Sequence, residues 1–234
     1  MSASAASTGA AAVQQAKRQL RKQVAHRLKL VPAPSLAEQS RLVVDRLVSS
    51  ATFRHAASVS CYLSLPHSEV QTDTLIRLAL DHGKRVYIPY CPLDQDKTTM
   101  RMLRLRNSDH FDSLLPNRWG IRQFDPKEVD SLEDVDRFAS ENESNRDGGL
   151  DLLILPGLAF DPMRRRLGHG RGYYDRYINT YCLDYPRTFK KPPPRMIALA
   201  LREQMVRPDQ GEQIPTGEWD RLADEVITPD ETYT

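Results

Sequence analysis

Hydrophobic positions recur along the chain with two different periods, and these predict a series of helices and strands. Over residues 13–30, apolar side chains recur at steps of three and four, which is typical of a helix with one buried face. Pro32 and Pro34 end that helix, and a second amphipathic helix is predicted to follow them. Residues 72–81 and 173–183 are predicted to form two more helices.

Short apolar runs between these helices predict the strands. Residues 150–155 form the clearest run, because only Asp151 is polar and Pro156 ends it, as expected of a central buried strand. Strands joined by helices form right-handed parallel crossovers. The order of elements therefore predicts an α/β fold, a three-layer α/β/α single domain with a mostly parallel central sheet. The other predicted strands lie at residues 58–63, 85–89, 100–105, 196–201 and 225–228.

Two segments show no apolar period and are expected to lie outside the folded core. The first is the Ala- and Ser-rich lead over residues 1–12, which is expected to be disordered. A single domain is then expected over residues 13–234. The second segment covers about residues 125–149, which are polar and acidic and are predicted to form a flexible insertion within that domain.

Composition narrows the class of protein. Of 234 residues, 27% are charged and 40% are hydrophobic, as in ordinary globular proteins. Neither a membrane span nor a secretory signal is expected, because no apolar run approaches ~20 residues and no basic residue precedes Lys17. Cys61, Cys91 and Cys182 are far apart and indicate neither a disulfide framework nor a zinc site. A cytoplasmic location is expected, with the mitochondrial matrix as the alternative.

The strongest candidate for chemistry is the stretch RLGHGRGYYD at residues 166–175. Three of the eleven glycines fall here, at Gly168, Gly170 and Gly172. Glycines let the backbone approach a ligand closely and the flanking arginines neutralise an anion, so the stretch predicts a phosphate-binding loop. The spacing of its glycines matches neither the GxGxxG motif of dinucleotide-binding folds nor the GxxxxGK[ST] motif of P-loops. A surface turn with solvated arginines is the alternative, less favoured because three glycines are costly in entropy.

The position of this stretch in the predicted fold supports a binding role. It begins about ten residues after the buried strand over residues 150–155, so it is expected at the carboxyl edge of the sheet, where α/β proteins bind ligands. Lys17 and Arg21 lie four residues apart on one face of the first helix and can reach one anion together. Because the formal net charge is only +2, two local basic clusters favour a compact anion over nucleic acid.

Four carboxylates are candidates for a role beside such an anion. Asp175 is favoured in the first turn of a helix by the macrodipole alone, and beside a polyphosphate it would also hold Mg²⁺. Asp220 and Asp224 are candidates for a second carboxylate, although by themselves they would be interpreted as surface acids. Glu69 follows the first strand, where a partly buried acid can recognise a heterocycle that carries N–H groups.

Taken together, these motifs resemble the signature of the 5-formyltetrahydrofolate cyclo-ligases, also called methenyltetrahydrofolate synthetases. The resemblance runs nearly end to end. The sequence departs from the family pattern at His169, where tyrosine or arginine is common, and at Trp219, where many members carry histidine. The segments that carry the resemblance are PGLAFD at 156–161, RLGHGRGYYD at 166–175, KRQLR at 17–21, EVQT at 69–72, WGI at 119–121 and residues 220–228.

The resemblance implies an enzyme that uses ATP and Mg²⁺ to cyclise 5-formyltetrahydrofolate to 5,10-methenyltetrahydrofolate, through a phosphorylated formyl intermediate and with release of ADP and phosphate. We also expect a monomer without nucleic-acid or membrane partners. Arg171 and Lys17 would act on the transferred phosphate, and Asp175 and Asp224 would hold Mg²⁺. The folate would be bound by Leu63, Glu69, Trp119 and Tyr173. The implied ATP-binding residues are Lys17, Arg21, Arg166, Leu167, Gly168, His169, Gly170, Arg171, Gly172, Tyr173 and Tyr174.

Two other functions stay open at the level of the sequence. A sugar-phosphate isomerase on a similar α/β sheet would use Glu69 as its base and would need no ATP. A non-catalytic nucleic-acid binder would use the two basic clusters, and its binding would depend steeply on salt concentration. The net charge of +2 counts against this last function.

Overall fold

The computed structural model of the chain describes residues 2–92, 99–135, 149–188, 192–208 and 212–234, with side chains described from residue 11 onward except over residues 182–188. No helix in these residues is both long enough and apolar enough to cross a bilayer. The described helices are α1 (Ser2–Lys29), α2 (Ala33–Val48), α3 (Ala51–His55), α4 (Asp73–Asp81), α5 (Ser108–Ser113) and α6 (Tyr173–Thr188).

The described strands form one large sheet and two small hairpins. They are β1 (Ser58–Ser60), β2 (Arg85–Tyr90), β3 (Arg101–Arg104), β4 (Leu115–Pro116), β5 (Arg122–Gln123), β6 (Leu152–Leu155), β7 (Ala159–Phe160), β8 (Arg166–Leu167), β9 (Arg195–Leu199), β10 (Glu225–Ile227) and β11 (Thr232–Tyr233). The seven-stranded sheet has the order β11-β10-β9-β6-β1-β2-β3. Its inner pairs are parallel, whereas β3 and β11 add antiparallel edges.

Two hydrophobic clusters cover the two faces of this sheet. Leu152 and Ile154 of β6 pack with residues of α1, α2 and α4 on one face. Leu153 and Leu155 pack on the other face with Ile178 of α6, because successive side chains of a strand point to opposite sides. Each of these fully buried side chains contributes roughly 1.5–3 kcal/mol from removal of its apolar surface from water. The predicted α/β/α layering and the mostly parallel sheet are confirmed.

The parallel strands bring three loop regions to one edge of the sheet. The segments after β1, β2 and β6 all leave from their carboxyl ends, so the residues that follow them are neighbours. The chain after β6 first forms the β7–β8 hairpin, whose turn is held by Asp161, since Oδ1 accepts from N of Arg165 (3.0 Å). The sequence did not predict this hairpin, because its strands are only two residues long.

The amino-terminal helix is longer than the sequence predicts. It begins at Ser2, so residues 2–12, which were expected to form a disordered lead, are helical in the structure. Alanine is the strongest helix former, so an Ala-rich segment can extend a helix without carrying an apolar stripe of its own.

The structure describes only part of the predicted flexible insertion, and the described part packs against the rest of the domain. Val129, Leu132 and Val135 are buried, and Asp134 accepts a hydrogen bond at Oδ2 from Nε of Arg101 (2.7 Å). Residues 125–135 thus contribute three buried apolar side chains, which recur at three-residue steps within a polar sequence. Residues 136–148 lie outside the described part of the chain.

Candidate active site

Two cavities lie at the carboxyl edge of the sheet, beside the glycine loop at residues 168–172. The first cavity has a volume of about 660 Å³ and the second of about 610 Å³. Arg166, Gly168, Gly172 and Asp175 line both of them. The loop and the residues that flank it therefore form a common wall between the two cavities.

The shape of the loop depends on two of its glycines. Gly170 and Gly172 have φ angles of 100° and 70°, a region that other residues rarely adopt. A Cβ atom at Gly172 would also lie 3.1 Å from Nη1 of Arg176. Helix α1 holds the loop from the side of the second cavity, since Nε of Arg21 donates a hydrogen bond to the carbonyl oxygen of Gly168 (2.8 Å).

The second cavity contains a buried cation that is paired with an acid from the far end of the chain. Lys17 is only 7% exposed, and its ammonium group donates to Oδ2 of Asp220. The same oxygen of Asp220 accepts from N of Gly217 (2.6 Å). Burial lowers the pKa of the nearby Arg21 guanidinium, while Asp220 opposes that shift. Since arginine stays protonated in proteins, Arg21 remains a cation despite this shift, and it lines the cavity together with Lys17.

A second buried cation lies in the common wall. The Arg166 side chain is 3% exposed, and its Nη2 donates to Oδ1 of Asp175. Its Nη1 donates to the carbonyl oxygen of Pro156 (3.2 Å), directly after β6. Its Nε has no hydrogen-bond partner among the described residues. An unpartnered buried donor is costly, so this nitrogen is a strained feature of the common wall.

The first cavity contains a buried carboxylate from the segment after β1. Glu69 is 4% exposed, and its Oε2 accepts a hydrogen bond from N of Leu65 (2.8 Å). Its Oε1 lies 3.1 Å from Nε2 of His169 in the glycine loop, one hundred residues later in the chain. The fold thus places the acid of one loop against the glycine loop, as their common position at the carboxyl edge predicts.

The remaining walls of the first cavity are largely aromatic and apolar, and Leu63, Tyr173 and Tyr174 belong to them. Trp119 is half-exposed at its rim, with the guanidinium carbon of Arg118 4.1 Å from the ring centre. Burial raises the pKa of the Tyr174 phenol well above its usual value, so this group is neutral at physiological pH. The buried Tyr174 hydroxyl has no hydrogen-bond partner in the described part of the chain.

The structure brings the predicted loop residues together but divides them between the cavities. The residues His169, Arg171, Tyr173 and Tyr174, which were predicted to bind ATP, line only the first cavity. Gly170 lies between His169 and Arg171 in the chain, yet it lines only the second cavity. The predicted ATP-binding residues that line only the second cavity are Lys17, Arg21, Leu167 and Gly170.

The predicted pairing of Asp175 with Asp224 is not found. Asp224 lies at the amino end of β10, where its Oδ2 accepts from N of Met196 (2.7 Å), and it lines neither cavity. Asp220, the other candidate for a second carboxylate, lines the second cavity together with Asp175. The two candidates lie in an irregular segment, so their four-residue spacing could not tell which one faces the site.

The carboxylates of the second cavity fit a metal ion that arrives with a polyphosphate. Among the described residues, no three His, Cys, Asp or Glu side chains are arranged to hold a metal ion by themselves. Mg²⁺ is commonly bound by one or two carboxylates together with phosphate oxygens and water. Asp175 and Asp220 supply that number of carboxylates on the wall of one cavity.

Sequence reasoning missed several residues of the two cavities, although helical spacing could have found some of them. Gln14 lies one turn before Lys17 on α1, and Asn179 lies one turn after Asp175 on α6, so each shares a helix face with a predicted residue. The residues of loops carried no such signal. Those missed are Gln14, Arg176, Asn179, Thr180 and Trp219 in the second cavity and Asn117, Arg118 and Arg122 in the first.

Comparison with known proteins agrees with this architecture. The 5-formyltetrahydrofolate cyclo-ligase family matches residues 13–229. A Caenorhabditis elegans protein named probable 5-formyltetrahydrofolate cyclo-ligase is 35% identical over 94% of this chain and 96% of its own length. A Mus musculus 5-formyltetrahydrofolate cyclo-ligase is 34% identical over 94% of this chain and 97% of its own.

A solved structure shows the same fold. The NMR structure of Aquifex aeolicus 5,10-methenyltetrahydrofolate synthetase superposes with a TM-score of 0.63 at 24% sequence identity, over 92% of this chain and 91% of that one. The family match and the two relatives extend over nearly the whole chain. The chain therefore belongs to the 5-formyltetrahydrofolate cyclo-ligase family, as its motifs predict.

Proposed function

We propose that the protein uses Mg-ATP to convert 5-formyltetrahydrofolate to 5,10-methenyltetrahydrofolate, with release of ADP and phosphate. The observation that carries this proposal is the wall that the two cavities share, formed by Arg166, Gly168, Gly172 and Asp175. Transfer of a phosphoryl group between two bound molecules requires their reacting atoms to meet at one place. A wall with two small glycines and a buried arginine offers such a place.

The second cavity is the proposed nucleotide site. Lys17, Arg21 and Arg166 line it with positive charge, and main-chain groups of the glycine loop are accessible because glycines carry no side chain. Asp175 and Asp220 are the groups that would hold Mg²⁺, and the ion would neutralise part of the phosphate charge when bound. Both carboxylates are now paired with cations, Asp175 with Arg166 and Asp220 with Lys17. Binding of Mg-ATP would exchange these partners for the metal and the phosphates.

The first cavity is the proposed folate site. The pterin ring carries N–H groups, and the buried carboxylate of Glu69 is an acceptor for them. Leu63, Tyr173 and Trp119 present apolar and aromatic surface to flat rings. Tyr174 and Arg171 also line this cavity, at the glycine loop and directly after it.

The proposed chemistry proceeds in two steps. The formyl oxygen attacks the γ-phosphorus, so that a C–O–P linkage forms and the bond to the β-phosphate oxygen breaks to release ADP. N10 of the folate then attacks the activated carbon and loses its proton. The C–O bond breaks, phosphate leaves with that electron pair, and the 5,10-methenyl bridge remains. Because phosphorylation converts a poor leaving group into a good one and the ring closure is intramolecular, no protein nucleophile is needed.

The residues of the chain contribute position and charge. Lys17 and Arg166 would offset the charge that develops on the transferred phosphoryl group from the side of the nucleotide, and Arg171 from the side of the folate. Burial strengthens this effect for Lys17 and Arg166, because their charges are poorly screened by water. Glu69 would hold the pterin so that the formyl oxygen faces the common wall.

A product-formation assay tests this function. The protein is incubated with 5-formyltetrahydrofolate and Mg-ATP, and the absorbance of the methenyl product is followed. We expect a rise in absorbance that requires ATP and that does not occur when ATP is replaced by an analogue whose γ-phosphate cannot be transferred. No rise with folded protein would contradict the proposal. If calorimetry detected no nucleotide binding, the result would favour the alternative function, a sugar-phosphate isomerase that uses Glu69 as its base.

A further inference from the structure

The second cavity contains an exposed tryptophan that the proposed chemistry does not use. Trp219 lines this cavity and is 70% exposed. Its backbone is held in place, since its carbonyl oxygen accepts a hydrogen bond from Nδ2 of Asn179 on α6 (3.1 Å). Removal of a large aromatic ring from water is favourable in free energy, so an exposed indole at the edge of a cavity is suited to contact a ligand.

Helix α1 shows which end of the cavity is charged. Gln14, Lys17 and Arg21 line the cavity at steps of three and four residues, so they follow one face of the helix. Arg21 lies at the glycine loop, because it donates to the carbonyl oxygen of Gly168. Gln14 lies seven residues earlier, which corresponds to about 10 Å along the helix axis. The cavity thus extends from a basic end at the loop to a neutral end at Gln14.

Along helix α6, the lining residues also change from charged beside the loop to uncharged further from it. Asp175 lies in its first turn beside the loop, whereas Asn179 and Thr180 line the cavity one turn further along. Because Asn179 holds the backbone of Trp219, the tryptophan lines the cavity beside Asn179, whose other amide atom is bonded to Arg221 outside the cavity lining. A nucleoside triphosphate has a matching form, with a charged chain at one end and a flat uncharged ring at the other.

We propose that Trp219 is the platform on which the base of the bound nucleoside triphosphate stacks. This inference rests on the proposed function, since it takes the second cavity as the nucleotide site. The amide of Asn179 is already used, as Nδ2 also donates to the carbonyl oxygen of Asp175 (2.7 Å) and Oδ1 accepts from Nε of Arg221. Recognition of the base therefore depends mainly on its flat face, and purines, which have the larger face, bind better than pyrimidines.

Calorimetry with two ligands tests this role. Mg-ATP and Mg-tripolyphosphate, which has the phosphate chain but no base, are titrated into the wild type, Trp219→Phe and Trp219→Ala. We expect Trp219→Ala to raise the Kd for ATP about tenfold or more, as is usual for the loss of one base–aromatic stack. Trp219→Phe should keep most of the wild-type affinity for ATP. The Kd for tripolyphosphate should be the same in all three proteins, and the preference for ATP over CTP should disappear in Trp219→Ala.

Fluorescence gives an independent readout, because the sequence contains only two tryptophans. In a Trp119→Phe background, ATP should quench the remaining emission of Trp219 and tripolyphosphate should not. Unchanged ATP affinity in Trp219→Ala would overturn the stacking role and leave the proposed function intact. An equal loss of affinity for tripolyphosphate would also overturn it, since Trp219 would then only support the phosphate end. Absence of ATP binding by the wild type would overturn the nucleotide site itself.

Discussion

The ammonium group of Lys17 is bonded to the carboxylate of Asp220, although 203 positions separate the two residues in the chain. The pair joins the first helix to the irregular segment that precedes β10, at the wall of the second cavity. It places a buried positive charge beside a carboxylate, at the position where we propose that the phosphates and Mg²⁺ bind.

Loss of the Lys17 charge should therefore weaken both nucleotide binding and turnover. In Lys17→Met, Asp220 would face the phosphates without its partner, so we expect turnover to fall about 10²- to 10³-fold and the Kd for ATP to rise. Steady-state kinetics and calorimetry measure these changes. Lys22→Met is the matched control, because Lys22 is exposed on the same helix and lines neither cavity. Similar losses in both variants would contradict the assigned role.

The two acids near the carboxyl terminus should differ in their effect on the metal requirement. Asp220→Asn removes a carboxylate from the second cavity, so we expect a higher Mg²⁺ concentration for half-maximal activity. Asp224→Asn changes a carboxylate that accepts from N of Met196 and lies near Arg195, so we expect a small loss of stability and the same Mg²⁺ dependence. Titration of activity with Mg²⁺ distinguishes the two, and the reverse order would show that the metal lies elsewhere.

The buried carboxylate of Glu69 should govern folate binding without affecting the nucleotide. Glu69→Gln keeps the shape of the side chain but replaces a charged acceptor, so we expect the KM for 5-formyltetrahydrofolate to rise about tenfold or more. The Kd for ATP should stay unchanged, since Glu69 lines only the first cavity. Glu38→Gln, on the exposed face of α2, serves as the control. An effect of Glu69→Gln on ATP alone would reverse our assignment of the cavities.

Two glycines with the same backbone conformation allow strain to be separated from function. Gly172 and Gly83 both have φ angles of 70°, so an alanine at either position should cost about 1–2 kcal/mol of stability. A Cβ atom meets nothing within 4 Å at Gly83, whereas at Gly172, in the common wall, it meets the guanidinium of Arg176, which lines the second cavity. We expect thermal unfolding to shift in both variants and activity to fall only in Gly172→Ala. Full activity of Gly172→Ala would argue against close approach of a ligand to this part of the loop.

Cys91 should report on the occupancy of the first cavity and on pH. Burial raises the pKa of its thiol to about 11, so at pH 8 only about one thiol in a thousand is a thiolate. Alkylation by iodoacetamide should be slow at pH 8 and rise about tenfold per pH unit up to pH 10, as measured by mass spectrometry of the Cys91 peptide. Bound 5-formyltetrahydrofolate should slow the reaction, since Cys91 lines this cavity.

The buried Cys61 thiol provides the internal control for this experiment. Burial raises its pKa further than that of Cys91, and it does not line the first cavity. It should stay unmodified over the same pH range while circular dichroism shows that the fold persists. Fast alkylation of Cys91 at pH 8 without dependence on pH would mean that the first cavity is more open to water than the structure shows.

The main elements of the fold could be predicted because they depend on local pattern. The apolar run that becomes β6 and the three- and four-residue steps that become α1, α2 and α4 are visible in the sequence, and the parallel sheet follows from their order. Packing was not visible in the sequence where composition concealed the apolar pattern. Residues 125–135 are rich in charge, yet their few apolar side chains are buried.

The sequence by itself determined the family and the members of the glycine loop, because glycine spacing and arginines near a strand end have a direct physical meaning. Only the tertiary structure decided how those members divide between two cavities, since that division depends on which side of the loop each residue faces. It also decided that Asp220 and not Asp224 joins Lys17 and Asp175. Contacts between residues 203 positions apart follow from the packing of a helix against a distant irregular segment, and no local spacing records them.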